Sequence, residues 1–149
     1  MAAFFLDTSA VVKRYVQETG TSWIRNLAAP ASRHFLFVAR IADVKVAAAL
    51  ARRRRQASLN PAEAAAGLSQ FRQDLTRDYR VMEISIPLLQ RAAWIADVHV
   101  LRAYDAVQLA ASLEVRSQVP SLILVSSDAD LNTAAIAEGL PVEDPNAHP

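Results

Sequence analysis

Three aspartates of this chain stand where metal-assisted phosphodiester chemistry could be carried out. Asp7 closes the apolar run Ala3-Phe4-Phe5-Leu6 and is followed by two hydroxyl residues, Thr8 and Ser9. Asp128 follows the apolar run Leu122-Ile123-Leu124-Val125, with Ser126 and Ser127 between. Asp105 precedes Ala106, Leu109, Ala110 and Leu113, which have the spacing of a helix's apolar face. Leu109 is its i+4 neighbour, so this carboxylate borders the buried side. Each acid alone has a plain explanation, since Asp readily caps helices. Together they point further. A strand that ends on a carboxylate and turns into a helix puts that acid at the sheet edge where open α/β folds bind ligands. Acids crowded there repel one another unless a cation offsets their charge. Carboxylates around a hard divalent ion are suited to activating water against a phosphodiester.

Composition narrows the chemistry. The chain has 149 residues, 52% of them hydrophobic, which suits a single domain over residues 1–149 with a proper core. Cysteine is absent, so disulfides and thiolate metal sites are excluded. His34, His99 and His148 are dispersed, which argues against zinc. A metal here would be oxygen-bound, as Mg²⁺ or Mn²⁺ is. No apolar run approaches the ~20 residues of a membrane span, and no basic segment leads into an apolar one. A cytoplasmic protein with no membrane association is expected. The net charge of +1 is too small for a broadly basic nucleic-acid binder. Four arginines do cluster, Arg52 to Arg55. They are either a solvated helix end favoured by the dipole, or a patch in which residues such as Arg52 and Arg53 contact phosphates or a partner.

The elements that must position these residues alternate. Strands are expected at Ala3–Leu6, His34–Val38, Arg80–Ser85, Ser121–Ser126 and, short, Leu140–Glu143. Helices are expected over Ser9–Glu18, Thr21–Ala28, Ile41–Arg55, Asn60–Asp78, Leu88–Val98, Asp105–Ser117 and Leu131–Glu138. Gly20 and Gly139 break the chain after helices, and Asn60-Pro61-Ala62-Glu63 has the N-cap, N1 and N3 residues of a strong helix start. Trp23, Phe35, Phe37, Phe71 and Trp94 fall at strand or helix spacing and suit a core or an interface. The tail Asp144–Pro149 is expected to be loose. The alternation defines an α/β sandwich around a mostly parallel sheet.

On these residues the chain resembles a known family. Leu6-Asp7-Thr8-Ser9, Ala49-Leu50-Ala51-Arg52-Arg53, Tyr104-Asp105-Ala106-Val107-Gln108-Leu109-Ala110, Val125-Ser126-Ser127-Asp128-Ala129-Asp130-Leu131 and Glu138-Gly139-Leu140 occur in the order and spacing of the PIN domain. The likeness is closer still to the VapC toxins of bacterial type II toxin–antitoxin systems. The resemblance implies a five-stranded parallel sheet flanked by helices and Mg²⁺- or Mn²⁺-dependent endoribonuclease activity. It also implies a homodimer and inhibition by a VapB-like antitoxin. It assigns Asp7, Asp105 and Asp128 as catalytic, metal-holding acids. Thr8 or Ser9, and Ser126, become the hydroxyls that orient a water or a carboxylate. Asp130 is the weaker choice for the last acid, because it lies two residues further into a helix.

One family position is not filled as the pattern asks. A glutamate is expected where Lys45 stands. Lys45 is also odd in its own right, since it lies four residues from Ile41 and beside Val46, on the apolar side of its helix. Asp43 is two residues away, roughly 200° around a helix of 3.6 residues per turn, and cannot substitute. Lys45 is therefore expected to reach the acids, pair with Asp7 or Asp105, and weaken metal binding and cleavage. A module that binds antitoxin or RNA without cutting is the competing expectation. A DxD phosphatase is disfavoured because Ser9, not an acid, stands two residues after Asp7, and a receiver domain because no lysine follows Lys45.

Overall fold

The computed structural model describes all residues, Met1–Pro149. Five strands, β1 (Ala3–Leu6), β2 (Phe35–Ala39), β3 (Tyr79–Met82), β4 (Ile123–Val125) and β5 (Val142–Glu143), form one sheet in the order β3-β2-β1-β4-β5. Every pairing is parallel. Seven helices connect them: α1 (Thr8–Tyr15), α2 (Thr21–Ala28), α3 (Ala42–Arg55), α4 (Pro61–Arg77), α5 (Ile86–His99), α6 (Ala103–Gln118) and α7 (Ala129–Ala137). No helix is long and apolar enough to cross a membrane.

The apolar run of β1 is explained by its central place. All four of its residues are buried, with Phe4 and Leu6 facing one layer and Ala3 and Phe5 the other. The first layer is α1–α4, where Val11, Ile24, Leu50 and Phe71 meet the sheet. The second is α5–α7, where Ile95, Leu109 and Leu131 do. A strand buried on both faces reads as continuous hydrophobic sequence, as parallel sheets require.

Local signals set the helix starts. Asn60 and Glu63 form a reciprocal capping box, with Pro61 inside the first turn. Ser85 caps α5 by accepting from the Leu88 N–H. Asp7 and Asp128 cap α1 and α7 in the same way.

Three expectations need correction, and one is narrowed. β3 ends at Met82, not Ser85, because its partner β2 ends at Ala39 and leaves nothing to pair with. α1 stops at Tyr15, three residues short of Glu18, where Val16 turns to extended backbone. Trp94 lies 57% exposed on α5, outside the core, which leaves the interface as its expected use. The tail is docked: Asp144 accepts from the Asn146 N–H to start a turn, and Pro145 is buried. His148 stacks on Trp23 with ring centroids 4.3 Å apart and bonds Glu143 at 3.1 Å. Gly20 makes that docking possible. Its φ of +86° is left-handed, and a Cβ there would lie 2.4 Å from the Pro145 carbonyl oxygen.

Candidate active site

The chain runs from β1 outward to β2 and β3, then crosses back to place β4 on the other side of β1. The C-terminal ends of β1 and β4 therefore flank the point where strand order reverses, the crevice in which open α/β sheets bind ligands. Asp7 lies one residue past β1, and its N–H continues the ladder to the Val125 carbonyl at 3.0 Å. Asp128 lies three residues past β4 as the N-cap of α7. Asp105 enters from the first turn of α6. All three line one cavity of about 340 Å³.

Each carboxylate is held by what its own element offers. Asp7 is buried, and its Oδ2 accepts from the Ser9 hydroxyl at 2.7 Å and the Ser9 N–H at 3.2 Å. The Ser9 hydroxyl in turn accepts from the Ser127 N–H at 3.0 Å, which ties the β1 turn to the β4 turn across the crevice. Asp128 Oδ1 accepts from the Leu131 N–H at 2.9 Å and so is committed to capping α7. Ser126 is fully buried, and its oxygen accepts from the Asp128 N–H at 3.0 Å. Thr8 lines the cavity and accepts from the Gln108 amide at 3.3 Å. Asp130 is exposed and lines a different cavity.

Electrostatics set the tone of the site. Burial pushes the Asp7 carboxyl above the usual range, against the lowering effect of its Ser9 hydrogen bonds, and repulsion from Asp128 adds to the rise. The Asp105 carboxyl is raised by burial first, then by Asp128 and Asp7. Cations surround these acids: Lys45, Arg52, Arg53 and Arg102 all line the cavity. Arg53 is steadied by Glu18, which also pairs with the buried Lys13. Asp43 is turned outward to Arg40.

Lys45 reaches the cavity but does not pair as expected. Its ammonium lies 5.0 Å from the centre of the Tyr104 ring and forms no ion pair with Asp7 or Asp105. The reason is local competition. Ser9 already serves Asp7, and Arg102 serves both other acids, its Nε donating to Asp105 at 3.2 Å and its Nη2 to Asp128 at 3.1 Å. The ring face offers the ammonium an alternative partner. Arg102 and Tyr104 are the residues that sequence reasoning missed. An Arg three residues before Asp105 is a visible i,i+3 signal, but its second contact with Asp128 comes from another element and has no local trace.

The donor set suits a hard divalent ion. It consists of carboxylate and hydroxyl oxygens, two of the carboxyls are raised by crowding and burial, and a guanidinium already supplies counter-charge. Three acids do not converge tightly on a single point. Mg²⁺ does not need that, since it binds through one or two carboxylates and keeps several waters.

A fold of this topology with acids at the switch point defines a PIN-type protein, and likenesses to known proteins agree. No family model matches the chain. Ribonuclease VapC45 and Ribonuclease VapC49 of Mycobacterium tuberculosis are each 34% identical over 144 residues, covering 93% of this chain and 93% of theirs. The chain belongs to the VapC ribonuclease family. Among solved structures, VapBC2 from Rickettsia felis, bound to a DNA fragment from its promoter, aligns with a TM-score of 0.63 at 13% identity, over 95% of this chain and 98% of that one. VapC20 of Mycobacterium tuberculosis, a sarcin-ricin loop cleaving toxin, aligns with a TM-score of 0.60 at 18% identity, over 88% and 94%. At such identities these two structures speak for the fold.

Proposed function

We propose that this chain is the toxin of a type II toxin–antitoxin pair, an endoribonuclease that hydrolyses RNA phosphodiester bonds at the Asp7–Asp105–Asp128 cavity. The observation that carries this reading is the arrival of three acids from three distant elements at one cavity rimmed by Lys45, Arg52 and Arg53. Asp7, Asp105 and Asp128 are the groups that would hold Mg²⁺ or Mn²⁺. When bound, such an ion supplies positive charge for the phosphate and lowers the pKa of water. The chain's own residues do the rest. Ser9 fixes the rotamer of Asp7, and Ser126 fixes the turn that presents Asp128. Arg52 and Arg53 at the end of α3 meet the polyanion, with Glu18 orienting Arg53. Asp7 and Asp105 would hold a cation only as carboxylates, and both are raised, so metal affinity would rise with pH.

A VapB-like antitoxin is the proposed protein partner. Its support is the likeness to VapBC2 from Rickettsia felis. A homodimer is proposed as well, and its support is the exposed apolar surface of α5.

Lys45 places a positive charge where the family pattern asks for an acid, and we propose that it lowers metal affinity and cleavage. The test is cleavage of labelled RNA with Mg²⁺, Mn²⁺ or EDTA by the chain as it stands and by Lys45→Glu and Asp7→Asn. Lys45→Glu is expected to cut at least tenfold faster than the parent, and Asp7→Asn not at all. Equal cleavage by the parent and Lys45→Glu would refute impairment by Lys45. No cleavage by any form, with metal binding also absent, would favour a binding module that does not cut.

A further inference from the structure

We propose that Arg102 is the acid site's own counter-ion, a tethered guanidinium that occupies Asp105 and Asp128 and that a divalent cation must displace. The proposal rests on the reading of Asp7, Asp105 and Asp128 as metal-holding acids. Its basis is an atom-level conflict. Asp128 has two carboxylate oxygens, and Oδ1 is committed to the Leu131 N–H. The remaining oxygen, Oδ2, is the one that Arg102 Nη2 takes. Arg102 Nε takes Oδ2 of Asp105, and no other side chain hydrogen-bonds that acid. A cation held by Asp105 and Asp128 therefore meets Arg102 on Oδ2 of Asp128, and beside the open Oδ1 of Asp105 it meets the same guanidinium's charge.

The backbone explains how the guanidinium comes to be there. Val100 ends α5 in left-handed conformation at φ 53°, and the Leu101 N–H returns to the Ala96 carbonyl at 3.1 Å. This corner delivers Arg102 as the residue preceding α6, three positions before Asp105. From there the side chain crosses the cavity mouth to the N-cap of α7. It remains 77% exposed, so it is held by charge and not by packing, and exposed pairs of this kind are weak. It can leave without opening the core.

The consequence is a threshold. A site that binds only in its unlatched state has its apparent affinity reduced by the unlatched fraction. Arg102 thus sets how much free cation the site requires. A merely structural ion pair between Arg102 and α6 would affect folding stability and leave metal affinity unchanged.

The test is calorimetric titration of Mn²⁺ into the full chain, Arg102→Gln, Arg102→Lys and Arg72→Gln, each with and without Lys45→Glu. Arg72 is exposed on α4 and lines a separate cavity, so its variant controls for net charge. Arg102→Gln is expected to bind Mn²⁺ severalfold more tightly than its parent. Arg102→Lys, which keeps the charge but not the fork, falls between, and Arg72→Gln matches the parent. The gain in Tm on adding Mn²⁺ follows the same order. Measurable but equal affinity in the parent and both Arg102 variants would overturn the proposal and leave the acid site standing. Absence of Mn²⁺ binding in every form, Lys45→Glu included, would overturn the acid-site reading and this proposal with it.

Discussion

The carboxylate of Asp7 caps α1, accepts the Ser9 hydroxyl and is buried against the sheet. The cap and the Ser9 hydrogen bonds favour its charge, while burial opposes it more strongly. Burial raises its pKa above the ordinary 3.8, so ionising this carboxyl costs more in the fold than in the unfolded chain. A raised folded-state pKa contributes stability that is fully present below the unfolded pKa and lost as pH rises through the folded value. Asp7→Asn keeps a cap, because Asn accepts as well as Asp does at this position. It removes the buried charge. In EDTA its Tm is expected to exceed the parent's by a few degrees at pH 7–8 and to converge with it below about pH 4, as thermal melts over that range would show. A constant difference across pH would mean that the carboxyl is not ionising in the fold. Saturating Mn²⁺ is expected to reverse the order, since only the parent then gains from binding.

Among the elements, the turn at Gly20 matters most after the site itself. Gly20→Ala forces a Cβ to 2.4 Å from the Pro145 carbonyl oxygen in a backbone region that L-residues avoid. A loss of about 1–3 kcal/mol is expected in denaturant melts, together with quenching changes at Trp23 as His148 leaves its ring. The tail was illegible in the sequence for this reason: its anchor is a glycine and a tryptophan over a hundred residues away, and nothing local in Asp144–Pro149 records them. What local chemistry controls was legible. The Asn60 capping box, the fully buried β1 and the alternation of strands with helices all appear where their residues put them. Lys45 lies between these cases. Its cavity followed from helical spacing, but its partner depended on Arg102, which arrives from another helix.

For the whole molecule, the outward face of α5 is the surface that most needs company. Ile86, Leu89, Trp94 and Val98 are 73, 48, 57 and 50% exposed, while Leu88, Ala92 and Ile95 on the opposite face are buried. Apolar side chains grouped in this way mark interaction surfaces. Light scattering is expected to give twice the 16.3 kDa chain mass, and Trp94→Glu to give the monomer. A monomeric parent would assign that face to something other than a second copy. Net charge gives no such guide, because 16 basic residues are almost balanced by 15 acids. The central position of β1 carries a different consequence. It pairs with β4, Phe4 against Ile123, and the Ser9–Ser127 bond joins residues 118 positions apart. A ribosome making this protein therefore releases Asp7 early and Asp128 late. A chain aborted before β4 lacks Asp128 and one wall of the crevice, so on the proposed function it is expected to leave the RNA that encodes it uncut.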